Sequence, residues 1–232
     1  LNRLAIMQPY FLPYIGYFAL MAASDRFVLF DDVNFINRGW INRNRILMDG
    51  HDHLFTVPLQ GASQHLPINA IAVCDDTPWR KKLLRTIEQA YRPAPFFAQT
   101  FALLNEIIHT PETNLSRYVG ASLTLLHDFL GLRCTIIPSS TVYANADLKA
   151  QDRILDICRQ EQATQYLNLP GGQALYQPAA FAGQGVQLDF VASPTGTYVQ
   201  FGAPFVPHLS IIDVLMFNGR AATAAMLEHH DC

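Results

Sequence analysis

Leu4-Ala5-Ile6-Met7-Gln8-Pro9-Tyr10-Phe11-Leu12-Pro13-Tyr14-Ile15-Gly16-Tyr17-Phe18 opens the chain as a short apolar run, a proline-bracketed aromatic loop and the start of a second apolar segment. The run at 4–7 predicts a strand, 16–23 a helix, and the apolar stretch at 26–30 another strand. Strand, loop, helix and strand in that order make the repeating unit of an open parallel sheet. In such a sheet the loops leaving neighbouring strands share one edge, where backbone and helix N-termini converge on ligands. Both loops are chemically dense here. Gln8 to Tyr17 follows the first strand, and Asp31-Asp32-Val33-Asn34 through Arg38-Gly39-Trp40-Ile41-Asn42-Arg43-Asn44-Arg45 follows the second. The sequence therefore predicts an α/β, Rossmann-like parallel sheet with its functional site at that edge.

Outward from this unit, residues 43–48 and 53–57 flank Asp49-Gly50, a hairpin signal that predicts a small antiparallel unit. Residues 68–73 read as a further strand. Asp75, Asp76 and Pro78 suit the cap and first turn of a helix over 79–91. Apolar spacing of three and four predicts helices from 97 to 108 and from 115 to 130, the latter capped by Asn114 and closed by Gly131. These three consecutive helices make 78–131 a helical insertion in a single domain spanning 1–232. A strand at 134–137, a helix at 148–162, strands at 166–169 and 186–191, and two closing helices at 210–217 and 220–229 complete the reading.

Composition narrows the function classes. A chain of 232 residues can bury about 70% of its unfolded surface. Half its residues are apolar or aromatic and only 15% are charged, so disorder is not expected. A net charge of −3 offers no global field for a polyanion, and no nucleic-acid partner is expected. Cys74, Cys134, Cys158 and Cys232 have no paired spacing and read as reduced thiols of a cytoplasmic protein. The first apolar run is cut by Gln8-Pro9 before reaching signal length, and no stretch approaches the roughly 18 apolar residues of a membrane span.

Several side chains carry candidate chemistry. Period-two alternation puts Arg43 and Arg45 on one strand face and Asn42 and Asn44 on the other. Two forked guanidiniums, with Arg38 nearby, suit a phosphate or carboxylate; a charged hairpin edge that resists aggregation is the plainer alternative. Asp31 and Asp32, at a strand end, suit a ribose hydroxyl or a magnesium ion, or simply end the strand. His51 and His53 lack a third ligand, His229 and His230 read as surface, and no metal site is predicted. His208 precedes Ser210 and Asp213 at a predicted helix start. That places an imidazole beside free amides, while Ser210 and Asp213 alone would form a capping box. Ser139-Ser140, Lys149 and Gly171-Gly172 follow strands or open helices and could touch phosphate. No Walker, dinucleotide-fingerprint, nucleophile-elbow or zincin motif occurs.

The opening motif, Asp31-Asp32-Val33, Trp40-Ile41-Asn42-Arg43-Asn44, Ser139-Ser140, Tyr176 and Leu209-Ser210-Ile211-Ile212-Asp213-Val214-Leu215 together resemble the bacterial WbqC-like protein family through nearly the whole chain. The resemblance implies a place in O-antigen or surface-polysaccharide biosynthesis and the transfer of a glycyl or other acyl group to an amino sugar. The opening is also similar to the HxGH nucleotidyltransferases and pantoate ligases, which implies ATP, with magnesium, as a candidate cofactor. Tyr14, Gly16 and Tyr17 fall where that motif would, with tyrosine in place of both histidines. A phenol can hydrogen-bond phosphate but brings no positive charge near neutral pH. Arg43, Arg45, Lys149 or His208 would have to supply it.

The resulting expectation is a transferase or ligase joining an aminoacyl or related acyl group to the amine of a nucleotide-linked sugar, with a nucleotide or nucleotide sugar and an acyl donor as its partners. Gln8, Pro9, Tyr14, Gly16 and Tyr17 would hold the nucleotide. Arg38, Asn42, Arg43, Asn44, Arg45, Ser140, Lys149 and Ser210 would bind phosphate and substrate. Asp31 or Asp32 would orient a hydroxyl or metal, and His208 would act as base. The competing expectation is a non-catalytic nucleotide-sugar or partner-binding protein, favoured by the two missing histidines.

Overall fold

Leu4, Ala5 and Ile6 are buried on both faces because β1 (Arg3–Met7) is the central strand of a five-stranded parallel sheet. The computed structural model describes residues 1–202 and 204–228. After β1 come α1 (Ile15–Ala23) and β2 (Arg26–Leu29), then the hairpin β3 (Arg43–Met48) and β4 (His51–Thr56), and two short strands, β5 (Leu59–Gln60) and β6 (Ala72–Val73). Three helices follow in succession: α2 (Trp79–Tyr91), α3 (Phe97–Ile108) and α4 (Leu115–Leu130). Next are β7 (Thr135–Ile137), α5 (Ala150–Gln160), β8 (Gln165–Asn168), α6 (Pro178–Ala182), β9 (Gln187–Phe190) and α7 (Ile211–Glu228).

The strand order is β7-β2-β1-β8-β9, and every neighbouring pair is parallel. The chain moves outward from β1 through β2 to β7, then crosses back to place β8 and β9 on the other side. This reversal is the topological switch of a doubly wound sheet, and it opens a crevice beyond the carboxyl ends of β1 and β8. Side chains alternate between the two faces as the pleat requires. Ala5, Phe27, Leu29 and Leu167 enter a large core with α1, the α2–α4 helices and α7. Leu4, Ile6, Val28 and Tyr166 enter a smaller one with α5 and the buried Phe181 of α6. Helices thus cover both sheet faces, which is why the parallel strands are almost continuously apolar.

The α2 and α4 boundaries match the spacing of apolar residues, with Asn114 accepting from the Arg117 amide and Gly131 left-handed at φ 72°. Three segments differ from expectation. Residues 68–73 form a 3-10 turn and only two strand residues, because Ile68 and Ile71 are buried three apart rather than two. Asp75 does not cap α2; its carboxylate instead accepts from Trp79 Nε1 at 2.8 Å and from Arg80. The two expected closing helices run together as α7 across a kink at Gly219, where φ is 71° and a Cβ would meet the Phe96 ring at 2.5 Å. His229, His230 and Cys232 lie outside the described residues.

Candidate functional site

A cavity of about 830 Å³ opens at the switch point. Met7 and Gln8 at the end of β1, Phe30 after β2, and Asn168 to Gly172 at the end of β8 form its floor and one side. Tyr10, Pro13 and Tyr14 come from the opening loop, Ile36 and Trp40 from the segment leading into the hairpin, and Asn44 and Arg45 from β3 itself. Ala150, Gln151 and Ile154 of α5, then Leu175, Tyr176, Ser193 and His208, close it. The walls are mostly apolar or aromatic, with few polar groups, the usual make-up of a small-molecule site.

Segments far apart in sequence meet at the Leu12 carbonyl. Leu12 is left-handed, at φ 46°, and wholly buried. Its carbonyl accepts from Asn44 Nδ2 at 2.9 Å and from the Ser210 hydroxyl at 2.6 Å. Ser210 also caps α7, its Oγ accepting from the Ile212 amide, while its own amide donates to the Arg45 carbonyl. The Pro13 carbonyl accepts from the Ile211 amide. Opening loop, hairpin and α7 are therefore clamped together beneath the cavity, and Asn44 and Ser210 act as that clamp. Asp213 does not complete a capping box. Its buried carboxylate accepts from Tyr91, Tyr198 and Gln200 at 2.6–2.8 Å.

The two hairpin arginines are not equivalent. Arg43 Nε donates to the Gly39 carbonyl at 2.9 Å, and its guanidinium also reaches the Arg38 carbonyl, so Arg43 ties down the turn and stays outside the cavity lining. Arg38 itself is exposed and left-handed at φ 60°. Asn42 pins the far end of the hairpin, donating to the Val57 carbonyl at 2.8 Å. Arg45 does line the cavity, lies over the Trp40 ring at 5.2 Å and pairs with Asp52 at 3.1 Å. Its Nε is buried and, like Gln8 Oε1 in the same lining, has no hydrogen-bond partner among the described residues. One is a donor and the other an acceptor.

The acidic pair sits behind the wall, outside the lining. Asp31, 3% exposed, accepts from Ser116 Oγ at 2.6 Å, Ser139 Oγ at 2.7 Å and the Ser140 amide at 3.1 Å. Asp32 accepts from Ser140 Oγ and pairs with the buried Arg153 at 2.5 Å. The Arg153 guanidinium in turn stacks 4.7 Å from Phe30, a lining residue. The pair thus braces α5 against β2. No cluster of three potential metal ligands occurs among the described residues.

Of the remaining candidates, Tyr14 lines the cavity and Pro9 is buried outside it. Tyr17 is fully buried, donating to the Gln8 carbonyl at 2.9 Å. Gly16 leaves room for its neighbours: a Cβ there would lie 2.2 Å from Ser193 Oγ and 2.4 Å from the Tyr14 ring. Lys149 is exposed just before α5. His208, exposed and left-handed at φ 58°, lines the cavity.

In the wall contributed by β8 the sequence points only to Gly171-Gly172, and not to Asn168 or the phenol pair beside it. Asn168 Nδ2 donates to the hydroxyls of Tyr166 at 2.9 Å and Tyr176 at 3.1 Å, and the two phenols are 3.2 Å apart. A Cβ on Gly172 would press to 3.1 Å from the Asn168 amide oxygen. The signal was Gly171-Gly172 after an apolar strand, but its meaning depended on β8 being the neighbour of β1.

Comparison with known proteins agrees with the sequence. The model of the WbqC-like protein family matches residues 8–225. The uncharacterized protein Rv1507c of Mycobacterium tuberculosis is 31% identical over 225 residues, covering 96% of each chain. No solved structure matches.

Proposed function

Because the chain belongs to the WbqC-like protein family, we propose that it serves surface-polysaccharide biosynthesis by binding a nucleotide-linked amino sugar at the switch-point cavity and transferring an aminoacyl or related acyl group to the sugar amine from an already activated donor such as a thioester, whose acyl–sulfur bond breaks and whose thiol leaves as the amide forms. The observation that carries this reading is the apolar-walled cavity at the β1–β8 crevice, which Gln8 and Arg45 border from two different segments. A ligand carrying both an amide-like N–H and an anionic oxygen matches an amide and a guanidinium side chain in such a wall. The first residues of α5 border the same space and offer free amides to phosphate.

Magnesium triphosphate does not fit this lining. Arg45 is its single guanidinium among the described residues and shares its charge with Asp52, and Asp31 and Asp32 are committed to serines and Arg153. The reading therefore uses no metal. His208 is assigned as the base that takes the amine proton, Gln8, Tyr14 and Arg45 as ligand contacts, and Asn44, Ser210, Gly16, Asp31 and Asp32 as the frame that holds them.

A thermal-shift screen of nucleoside diphosphate sugars, mononucleotides and coenzyme A thioesters tests the proposal. A ligand at a hundred times its dissociation constant adds about 2.7 kcal/mol of stability. The expected result is stabilisation by a nucleotide sugar that largely disappears in Gln8→Ala. No stabilisation across the panel would overturn the reading. With the substrate in hand, His208→Gln should keep affinity and lose roughly 100-fold in turnover. A second reading, binding without turnover, is favoured by the same imidazole, since His208 is exposed and makes no hydrogen bond among the described residues. It predicts stabilisation by the sugar nucleotide with no acylated product by mass spectrometry.

A further inference from the structure

Protons can be counted around the Tyr166–Asn168–Tyr176 triangle. The Leu169 amide donates to Asn168 Oδ1 at 2.7 Å, which fixes the side-chain amide so that its NH₂ group faces the phenols. That nitrogen has two protons, one for each hydroxyl. Tyr166 is fully buried, and the Tyr176 oxygen is the one acceptor within reach of its proton among the described residues. If Tyr176 donated instead, the Tyr166 proton would be orphaned in the core, at a cost comparable to a lost hydrogen bond. Tyr166 therefore donates. The Tyr176 oxygen then accepts two hydrogen bonds, and its own proton points away from both partners, on a side chain that lines the cavity.

We propose that Tyr176 is a preorganised hydrogen-bond donor for an anionic or strongly polarised ligand oxygen, a half-built oxyanion hole set in the β8 wall. It rests on the cavity being the ligand site, as above, and not on which group is transferred. Accepting two hydrogen bonds polarises the O–H bond and strengthens its donation. Burial, the largest influence, keeps the Tyr176 phenol above its ordinary value despite the opposing bonds from Tyr166 and Asn168, so it remains a donor through neutral pH. The ring is held edge-on to Tyr166 and Phe181, at 5.6 and 5.7 Å, so little reorganisation is needed when charge develops on the ligand. Gly172 belongs to the same device, because a side chain there would crowd the Asn168 amide.

The test uses 4-nitrophenolate, a flat ligand with one anionic oxygen, and phenylphosphonate, which carries a phosphoryl oxygen. Each is titrated against the full chain, and the absorbance of bound 4-nitrophenol is followed with pH. The wild type should bind at least one probe and lower the pH at which bound nitrophenol ionises. Whichever binds tighter shows whether carbonyl-type or phosphoryl oxygen is preferred. Tyr176→Phe keeps the ring and should weaken binding about ten- to a hundredfold and abolish the ionisation shift. Tyr166→Phe, which removes one of the two bonds held by the Tyr176 oxygen, should cause a smaller loss. A purely structural Tyr176 would lower the melting temperature without moving the ionisation pH. That result, wild-type affinity in Tyr176→Phe, or failure of both probes to bind the wild type would overturn the inference. Nitrophenolate binding that depends on Tyr176 alongside a blank nucleotide screen would sink the proposed function and leave this inference standing.

Discussion

The Ser210 hydroxyl donates to the Leu12 carbonyl at 2.6 Å across 198 positions of the chain. This contact joins the helix that follows His208 to the loop that follows β1, so one small side chain fixes both the frame and the cavity wall. Ser210→Ala removes that bond and the cap on the Ile212 amide together. We expect about 1–3 kcal/mol lower stability in urea unfolding, with the hydroxyl-bearing Thr variant closer to wild type. A change below 0.5 kcal/mol would mean that water replaces the hydroxyl.

Arg45 and Arg43 should separate cleanly. Arg45 lines the cavity, whereas Arg43 holds the carbonyls of Arg38 and Gly39. Arg45→Ala is expected to weaken binding of the best ligand from the thermal screen at least tenfold, with melting within a few degrees of wild type. Arg43→Ala should chiefly loosen the turn and leave affinity within threefold. Calorimetric titration and melting of the same samples check both, and equal effects on affinity would remove the distinction.

Gly16→Ala places a methyl into Ser193 and Tyr14, both cavity residues. Overpacking of this kind usually costs about 1–3 kcal/mol. Hydrogen exchange should quicken in the segment around residue 193, and adding Ser193→Ala should recover part of the loss by removing the nearer clash. No recovery would place the strain on Tyr14 instead.

Asp213 gives the pH dependence a sign. Its carboxyl is raised above the ordinary value of 3.8, mainly by burial, against the lowering effect of its Tyr198, Gln200 and Tyr91 bonds. The native state therefore holds this proton more tightly than the unfolded chain. Its contribution to stability is greatest below pH 3.8 and declines as pH rises from there to the folded value. Urea unfolding of wild type and Asp213→Asn at intervals from pH 3.5 to 7 should show the wild type losing stability relative to the variant as pH increases. The opposite slope would mean that the three donors outweigh burial.

The β1–α1–β2 unit was legible in sequence because apolar runs, a proline-bracketed loop and a helix of small and aromatic residues are local signals. So were α2, α4 and the hairpin at Asp49-Gly50. Residues 68–73 were misread because two isoleucines three apart satisfy a 3-10 turn as well as an apolar strand count. The candidate cavity was legible only in part, since five of the sixteen site residues expected from sequence reach its lining. Gln8, Tyr14, Asn44, Arg45 and His208 lie on the lining, while Asp31 and Asp32 lie behind it. What decides between lining and support is the pairing of β1 with β8 and the partners waiting for each carboxylate. Ser116 and Arg153, the partners of Asp31 and Asp32, lie 85 and 121 positions away.

The parallel pairing of β1 with β8 also sets a schedule for biogenesis. The Asn2 amide and Thr164 hydroxyl meet across 162 positions, whereas β1 reaches β2 after only one helix. At roughly 5–20 residues per second, β1 and β2 are both made about 7–28 seconds before β8 is complete. Throughout that interval one edge of β1 is an open template for any passing strand. Substitutions that weaken β8 are therefore expected to act on yield in the cell, through capture of this exposed edge, before they act on the equilibrium stability of the finished molecule.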